Sequence, residues 1–217
     1  MECSYCKSDK VKKSVLSYKK INFNICDDCG CHYQFPIKET DYISENYWKC
    51  DTDPDGNIRN LSNERDNKIK NWYGEAINFV NQFKNIKILD YGCGLGFFLS
   101  AINKDITKFG IEESQYGNEY IKKNFPDINI LRGGEETLTQ LNEKFDIIFF
   151  YHVVEHVKNP SSLFKELTKK LKKNGIIILG TPVVNTALSN FFGGNFRHYI
   201  PEHITLFDLK TLKNLFF

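Results

Sequence analysis

The stretch that decides the fold is NIKILDYGCGLGFFLSAI, residues 85–102. A short apolar run ends at Asp90, three glycines follow at alternate positions (Gly92, Gly94 and Gly96), and apolar residues at helical spacing come next. Glycine lets the backbone turn sharply and lets a ligand approach without interference from a Cβ atom. The pattern therefore predicts a strand, a ligand-binding loop and a helix in succession.

Further apolar runs follow this stretch, separated by segments with helical spacing. They are ITKFGIEES, INILRGG, FDIIFFYH and GIIILGTP. Two of them are nearly continuous in apolar residues, as expected of parallel strands covered by helices on both faces. A helix is predicted over Glu64–Phe83, before the first strand. The sequence thus predicts an α/β fold with a doubly wound, mostly parallel, Rossmann-like sheet.

Composition and charge limit the classes of partner. The chain has 217 residues and a formal net charge of +2, which suits one main globular domain with a small additional module. Residues 1–60 carry 9 Lys and Arg against 10 Asp and Glu, and the remainder carries 20 against 17. No basic arm is present, so nucleic acid is not an expected partner. The lack of a long apolar stretch or signal-peptide segment predicts a cytoplasmic protein with no membrane partner.

Cysteines are concentrated at the N-terminus, where Cys3/Cys6 and Cys26/Cys29 form two C-x-x-C pairs. Two such turns can place four thiolates around one zinc ion. A disulfide framework is the alternative, but a reducing cytosol would not maintain it. The segment between the pairs, VKKSVLSYKKINFNI, has the alternating character of a hairpin. The sequence therefore predicts a zinc ribbon whose metal is structural, because four thiolates leave no open coordination position.

Two more potential ligands, Cys31 and His32, come just after the second pair. They could replace one of the four cysteines, or they could simply be residues of the outgoing strand. With this module the sequence predicts three parts. They are a zinc ribbon over residues 1–40, a polar connector over residues 41–63 and the Rossmann-like domain over residues 64–217.

The spacing within the glycine loop separates two kinds of ligand. Dinucleotide sites have the pattern G-x-G-x-x-G, whereas this loop reads D-x-G-x-G-x-G and begins at Asp90. An acid inside the loop favours a ligand with an ammonium group. Glu112, 22 residues after Asp90, ends the second predicted strand, where a carboxylate can accept both hydroxyls of a ribose.

Over about residues 64–215 these motifs resemble the class I S-adenosylmethionine-dependent methyltransferases of the methyltransferase-23 type. ILDYGCGLGFF looks like the first motif of that family, and GIE looks like the segment with its ribose-binding acid. The resemblance implies S-adenosylmethionine as cofactor and methyl transfer as reaction. It places Asp90 near the methionine moiety and Glu112 on the ribose. It also places Gly92 and Gly94 under the cofactor, and Gly96 of the same loop is counted with the cofactor-binding residues.

Two further residues complete the cofactor site that the resemblance implies. Glu135, or a neighbour in RGGEETL, approaches the adenine. His152, directly after the fourth predicted strand, is counted with the cofactor-binding residues.

The stretch HVVEHV offers one set of catalytic residues. If a helix starts here, His152, Glu155 and His156 share one of its faces. The stretch resembles a quinone-biosynthesis branch in which an acid-x-x-Glu-His cluster can hold a divalent metal, although His152 replaces the first acid. For His156, packing at the start of a helix is the alternative to catalysis.

The stretch RHYIPEHITLFDLKTL offers a second set of catalytic residues. Glu202 and His203 resemble the Glu-His pair of sugar methyltransferases that also carry an N-terminal four-cysteine zinc module. This implies that His203 is the general base and that Glu202 orients it, with solvated loop residues as the alternative. Just upstream, NFFGGN has the paired glycines of a lid whose aromatic residues could stack on a sugar ring.

Together these features predict a small-molecule methyltransferase that acts on a sugar, either nucleotide-linked or part of a surface glycan. The alternatives are an RNA base methyltransferase and a non-catalytic scaffold whose zinc ribbon recruits a partner. Members of the family add two strands after the fifth, and this sequence stops at KNLFF before them. We therefore expect a C-terminally short sheet whose open edge is covered in a homodimer, or a sequence that is part of a longer product.

Overall fold

The computed structural model describes residues 2–38, 51–52 and 58–214. Most of the predicted connector lies outside this part. In chain order the strands are β1 (Val11–Leu16), β2 (Asn22–Cys26), β3 (His32–Gln34), β4 (Asp51–Thr52), β5 (Ile58–Arg59), β6 (Lys87–Tyr91), β7 (Thr107–Glu112), β8 (Ile128–Arg132), β9 (Phe145–Tyr151), β10 (Leu171–Gly180), β11 (Val183–Val184) and β12 (Thr205–Asp208). Of these, β4 and β5 pair with each other.

The helices are short. They are α1 (Arg65–Lys68), α2 (Gly74–Val80), α3 (Phe97–Ala101), α4 (Gln115–Asn124), α5 (Glu135–Gln140), α6 (Pro160–Lys170), α7 (Ala187–Phe192) and α8 (Leu209–Asn214). A π-helical turn, Ile69–Tyr73, joins α1 to α2, and 3-10 turns occupy Leu61–Asn63, Val154–His156 and Gly193–Asn195. Within the described ranges, no helix has the length and apolarity needed to span a bilayer.

The described residues divide into two compact units. The first comprises residues 2–38, 152–165 and 180–214, and the second comprises residues 51–52, 58–151 and 166–179. The N-terminal segment thus shares its unit with residues far along the chain, whereas the sequence assigned it to a domain of its own over residues 1–40. The physical reason is strand pairing, because β3 forms an antiparallel pair with β12. Whether residues 1–40 fold independently stays a prediction.

The second unit contains the parallel sheet, with strand order β10-β9-β6-β7-β8. The pairs β6/β7, β6/β9 and β7/β8 are parallel. Helices follow β6, β7 and β8 along the chain, which is the doubly wound arrangement predicted from the alternating apolar runs. Because parallel strands end at the same edge of a sheet, the residues after β6, β7 and β8 meet at one edge.

A core cluster of the second unit packs on one face of β6 and β9. Ile77 and Val80 of α2 are buried with Phe98 of α3 and with Phe149 of β9. The rings of Phe98 and Phe149 stack with centroids 3.7 Å apart. The helix predicted before the first strand is therefore confirmed, although a π-helical turn interrupts it.

The first unit is built on a second sheet, with strand order β1-β2-β3-β12-β11. The hairpin predicted between the cysteine pairs is confirmed as the antiparallel pair β1/β2. The core of the first unit is aromatic and aliphatic and includes Phe23, Tyr199 and Leu206. The strands after β10 thus join this sheet and do not extend the parallel one.

Candidate functional site

The glycine loop after β6 has the backbone that its sequence predicts. Gly92, Gly94 and Gly96 have φ angles of 74°, 56° and 72°, a region that favours glycine. The loop is held from below by Glu112 at the end of β7. Its Oε2 accepts a hydrogen bond from the Gly94 amide at 2.8 Å, and its Oε1 accepts one from the Ser114 amide at 3.0 Å. These two hydrogen bonds hold the loop and the start of the following segment in place.

Two glycines at this edge serve close packing. A Cβ atom on Gly96 would lie 2.9 Å from Cγ1 of Ile121, so the structure gives this residue a packing role. Its predicted contact with a cofactor stays a prediction. A Cβ atom on Gly117 would lie 2.9 Å from the Gly94 carbonyl oxygen and from Cγ of Glu112. The sequence analysis did not single out Gly117, and the signal was its position in the first turn of the helix that follows Glu112.

Two carboxyl groups meet at the ends of β6 and β7. Asp90 and Glu112 are both buried. Burial, and then the charge of Glu112, raise the pKa of Asp90 well above its usual range. A cation bound here would favour the ionised form of Asp90 and remove part of the repulsion between the two acids. This edge of the sheet therefore suits a ligand that carries positive charge.

A third acid belongs to the same neighbourhood. Glu135 lies in the first turn of α5, which follows β8. Burial, and then the charges of Glu113 and Glu135, raise the pKa of Tyr91 at the end of β6. Glu135 is thus close enough to the end of β6 for its charge to act on Tyr91, and its predicted approach to the adenine stays a prediction. Sequence reasoning missed Tyr91 and Glu113, although each directly follows a predicted acid.

A second candidate site, in the first unit, surrounds the fully buried carboxylate of Glu155. His152 Nδ1 donates to its Oε1 at 3.0 Å, and the Thr181 hydroxyl donates to its Oε2 at 2.9 Å. Burial opposes the charge of Glu155, but the hydrogen bond from His152 and the nearby imidazoles outweigh burial and lower its pKa to about 2. The predicted helix is here a single 3-10 turn, and His152 precedes it with φ 54°.

The tautomers of His156 and His203 follow from their hydrogen bonds. His156 Nδ1 lies 2.8 Å from the Glu202 carbonyl oxygen, and His203 Nδ1 lies 2.8 Å from the His198 carbonyl oxygen. A carbonyl oxygen can only accept, so each Nδ1 carries a proton and each Nε2 of the neutral ring has a bare lone pair. The two rings approach edge to face, with centroids 5.0 Å apart.

Both rings are neutral near pH 7. Desolvation, and then the charge of His156, lower the pKa of His203 to about 3. Desolvation also lowers the pKa of His156. One ligand atom from each of Glu155, His156 and His203 lies within 4.8 Å of the others. One carboxylate and two neutral imidazoles can accept a proton from a bound hydroxyl group, and they also fit a divalent cation.

The contacts of Glu202 differ from the sequence-based prediction. Among the described residues its carboxylate has no hydrogen bond with His203, and its carbonyl oxygen fixes His156. The carboxylate brought together with His203 is that of Glu155. Sequence reasoning did not find Thr181 or the role of the His198 carbonyl group. The Thr181 contact joins segments 26 residues apart. The His198 carbonyl group is only five residues before His203, but it acts through the backbone and therefore has no side-chain motif.

The four paired cysteines come together in the first unit. Cys3 Sγ lies 3.6 Å from Cys29 Sγ, Cys6 Sγ lies 3.5 Å from Cys26 Sγ, and all four atoms lie within 4.8 Å of one another. A disulfide has an S–S distance of about 2.05 Å, which excludes these pairings. A tetrahedron with zinc–sulfur bonds of about 2.3 Å has edges of about 3.8 Å, close to the observed separations. The geometry therefore fits a zinc ion.

The two alternative ligands do not belong to this group. His32 lies on β3, where its Nδ1 is 2.5 Å from the Tyr199 hydroxyl and its Nε2 is 3.1 Å from Asn185 Oδ1. Both ring nitrogens are thus engaged within the unit. Cys31 is buried immediately before β3 and is not one of the four clustered thiols. Both are residues of the outgoing strand region, as the second interpretation held.

Known proteins are similar to this chain over the region that contains both candidate sites. A family model described as a methyltransferase domain matches residues 63–216. The ubiquinone biosynthesis O-methyltransferase of Pelagibacter ubique is 32% identical over 172 residues, which cover 71% of this chain and 66% of that protein. The mitochondrial ubiquinone biosynthesis O-methyltransferase of Schizosaccharomyces pombe is 27% identical over 181 residues, covering 78% and 64%. The chain thus spans just under two thirds of these relatives.

Solved structures show the same fold. A SAM-dependent methyltransferase from Archaeoglobus fulgidus superimposes with a TM-score of 0.58 at 22% identity, over 70% of this chain and 66% of that one. The YcgJ protein of Bacillus subtilis superimposes with a TM-score of 0.55 at 20% identity, over 66% and 64%. The family match includes the glycine loop, Glu112 and the Glu155 cluster. The chain belongs to the methyltransferase domain family.

Proposed function

We propose that the chain is an S-adenosylmethionine-dependent methyltransferase that methylates a hydroxyl group of a small molecule. The observation that carries this proposal is the glycine loop that Glu112 holds at the carboxyl edge of the parallel sheet. In a chain of the methyltransferase domain family, this loop is where we expect the methyl donor to bind.

The cofactor fits the charges at this edge. The ammonium group of the methionine moiety pairs with Asp90, whose ionisation a cation favours. Glu112 retains acceptor capacity for ribose hydroxyls beyond its two amide contacts, because each carboxylate oxygen has two lone pairs. Glu135 approaches the adenine, while Gly92 and Gly94 lie under the ligand. His152, whose ring donates to Glu155, completes the predicted set.

The reaction needs orientation and removal of one proton. The hydroxyl oxygen attacks the methyl carbon, the carbon–sulfur bond breaks, and the electron pair returns to sulfur as the sulfonium charge disappears. In the first route His203 Nε2 accepts the hydroxyl proton. A ring with a pKa of about 3 is a weak base for this task. In the second route Glu155, His156 and His203 would hold a divalent cation, whose charge would lower the pKa of the hydroxyl group.

We propose a sugar as the acceptor. The four-cysteine module and the Glu202–His203 stretch resemble sugar methyltransferases in combination. A phenolic hydroxyl group is the second candidate, because the curated relatives are named ubiquinone biosynthesis O-methyltransferases and because the Glu155 cluster fits a metal. An RNA base methyltransferase and a non-catalytic scaffold remain the alternatives from other classes.

One experiment separates these functions. The purified chain is incubated with S-adenosylmethionine and, in turn, with nucleotide sugars, catechols and transfer RNA, and products are analysed by mass spectrometry. We expect a mass gain of one methyl group in a nucleotide sugar. Methylation of catechols alone would establish the second candidate, and methylation of RNA would establish the third. Failure to bind either S-adenosylmethionine or its demethylated product would indicate a scaffold.

We also propose that Cys3, Cys6, Cys26 and Cys29 bind one structural zinc ion per chain. Replacing Cys26 by serine removes one of four thiolates, so we expect zinc loss and unfolding of the β1/β2 hairpin region, with little change in cofactor affinity. Elemental analysis and cofactor titration measure the two effects. Cys31→Ser is the matched control, since this buried thiol contacts Cys29 but is not one of the four clustered thiols, so its variant should keep its zinc. Folded wild-type protein without metal would contradict the proposal.

Two predictions about the state of the protein accompany this function. One is a homodimer that covers an open edge of the parallel sheet, where β8 and β10 are the outer strands of the described order. The other is a cytoplasmic location. Both stay predictions from the sequence.

A further inference from the structure

A surface patch of the first unit exposes large apolar side chains. Leu16 is 66% exposed, Leu188 is 60% exposed and Phe191 is 83% exposed. The hairpin–α7 patch, as we call it, consists of Leu16, Tyr18, Leu188, Phe191 and Phe192. Isolated exposed apolar residues are ordinary, but a cluster of this kind marks an interaction surface.

The patch is continuous across two segments that are distant in sequence. The Tyr18 amide donates to the Gly194 carbonyl oxygen at 2.9 Å, and the Tyr18 hydroxyl donates to the Arg197 carbonyl oxygen at 3.5 Å. The backbone of Gly194 packs directly on the carbonyl group of Leu16. The tip of the β1/β2 hairpin therefore lies against the segment that carries Phe191 and Phe192.

The charge of these two segments has one sign. Residues 11–25 contain Lys12, Lys13, Lys19 and Lys20 and no acid, and residues 181–201 contain Arg197 and no acid. The Lys19 ammonium group lies 5.2 Å from the centre of the Tyr18 ring. Basic and apolar groups are thus interleaved within the same two segments.

We propose that the hairpin–α7 patch binds the surface of a membrane that contains anionic phospholipids. Phenylalanine and leucine side chains are stabilised when they enter the boundary between headgroups and acyl chains. Lysines beside them are attracted to the anionic headgroups. This is peripheral binding, which needs no membrane-spanning helix. The sequence-based prediction of no membrane partner rested on the lack of an apolar span and did not address this surface.

Charge and geometry favour lipid over two other occupants. A symmetric contact with a second copy would set the same lysines against each other, which is unfavourable. Single-stranded nucleic acid needs flat rings on which bases stack, but the Phe191 and Phe192 rings stand at 87° to each other. Leucine side chains also offer no ring on which a base could stack. A lipid surface uses both the apolar and the basic groups.

The test is cosedimentation of the full chain with vesicles of phosphatidylcholine alone or with added phosphatidylglycerol. We expect binding only to the anionic vesicles, and weaker binding at high salt. Phe191→Ser/Phe192→Ser and Lys19→Glu/Lys20→Glu should each lower binding by about tenfold or more, since one removes insertion and the other reverses the charge. This readout requires no methyl transfer, so the proposal and the proposed function can fail separately.

Matched controls are available in the second unit. Phe79→Ser replaces an exposed phenylalanine elsewhere, and Lys122→Glu/Lys123→Glu reverses an exposed lysine pair on α4, so both should bind vesicles like the wild type. Thermal melting checks that every variant is folded. Absence of cosedimentation, or an equal loss in the controls, would overturn the proposal. Displacement from the vesicles by single-stranded RNA, with the same variants losing RNA binding, would assign the patch to nucleic acid.

Discussion

Replacing His203 by glutamine is expected to slow methyl transfer by about 10²–10⁴-fold while cofactor affinity stays intact. Glutamine can still donate to the His198 carbonyl group, but it lacks the bare imidazole nitrogen that accepts a proton or binds a metal. Turnover at saturating substrate and a separate titration of S-adenosylmethionine measure the two quantities.

His32→Gln is the matched control, because it replaces a buried histidine of the same unit outside the cluster. It should keep turnover within a small factor of the wild-type rate. Unchanged turnover in His203→Gln would remove this residue from the chemistry. A larger loss in His156→Gln, or loss of activity with chelators that spare the cysteine-bound zinc, would establish the metal route.

The pH dependence of this step follows from burial. Since the neutral ring is the active form and the pKa of His203 is lowered to about 3, the active form is complete at neutral pH and is lost only as the pH falls towards that value. The sequence alone predicts a rise in rate through an ordinary histidine titration. We expect instead no histidine inflection between about pH 6 and pH 8.

Gly94→Val is expected to lower the affinity for S-adenosylmethionine by more than about 100-fold, equivalent to about 2.7 kcal/mol. A β-branched residue is strained at a φ of 56°, and its side chain would occupy space that the glycine leaves for the ligand. The change would also disturb the amide that donates to Glu112. Isothermal titration calorimetry measures the affinity.

Asn85→Val separates loss of the ligand site from backbone strain. Asn85 has a φ of 55° and is exposed just before β6, so valine there is strained to a similar degree. We expect a comparable loss of thermal stability but wild-type affinity for the cofactor. If Gly94→Val binds as tightly as this control, the cofactor lies elsewhere.

Much of the fold could be predicted because it depends on local sequence patterns. The apolar runs of β6 and β9, the glycine spacing of the loop and the β1/β2 alternation each depend on neighbours in sequence. The same holds for the two C-x-x-C pairs, whose spacing brings cysteines onto tight turns. These elements form where local propensity and tertiary contacts agree.

The rest depends on contacts between distant segments. The sequence placed Glu202 beside His203 because the two are adjacent, but the chain instead brings the carboxylate of Glu155 to that ring. Nothing local indicates that the Thr181 hydroxyl donates to Glu155. The pairing of β3 with β12 likewise could not be predicted from the sequence, because each strand is short and the two are far apart along the chain.

The pairing of β3 with β12 also affects the order of events during protein synthesis. β12 leaves the ribosome about 170 residues after β3. At about 5–20 residues per second, the hydrogen-bonding edge of β3 waits about 10–35 s for its partner. Long-range pairing of this kind is slow and exposes an open strand to other nascent chains. Early capture of a metal ion by the two cysteine turns would hold the hairpin in register through that interval.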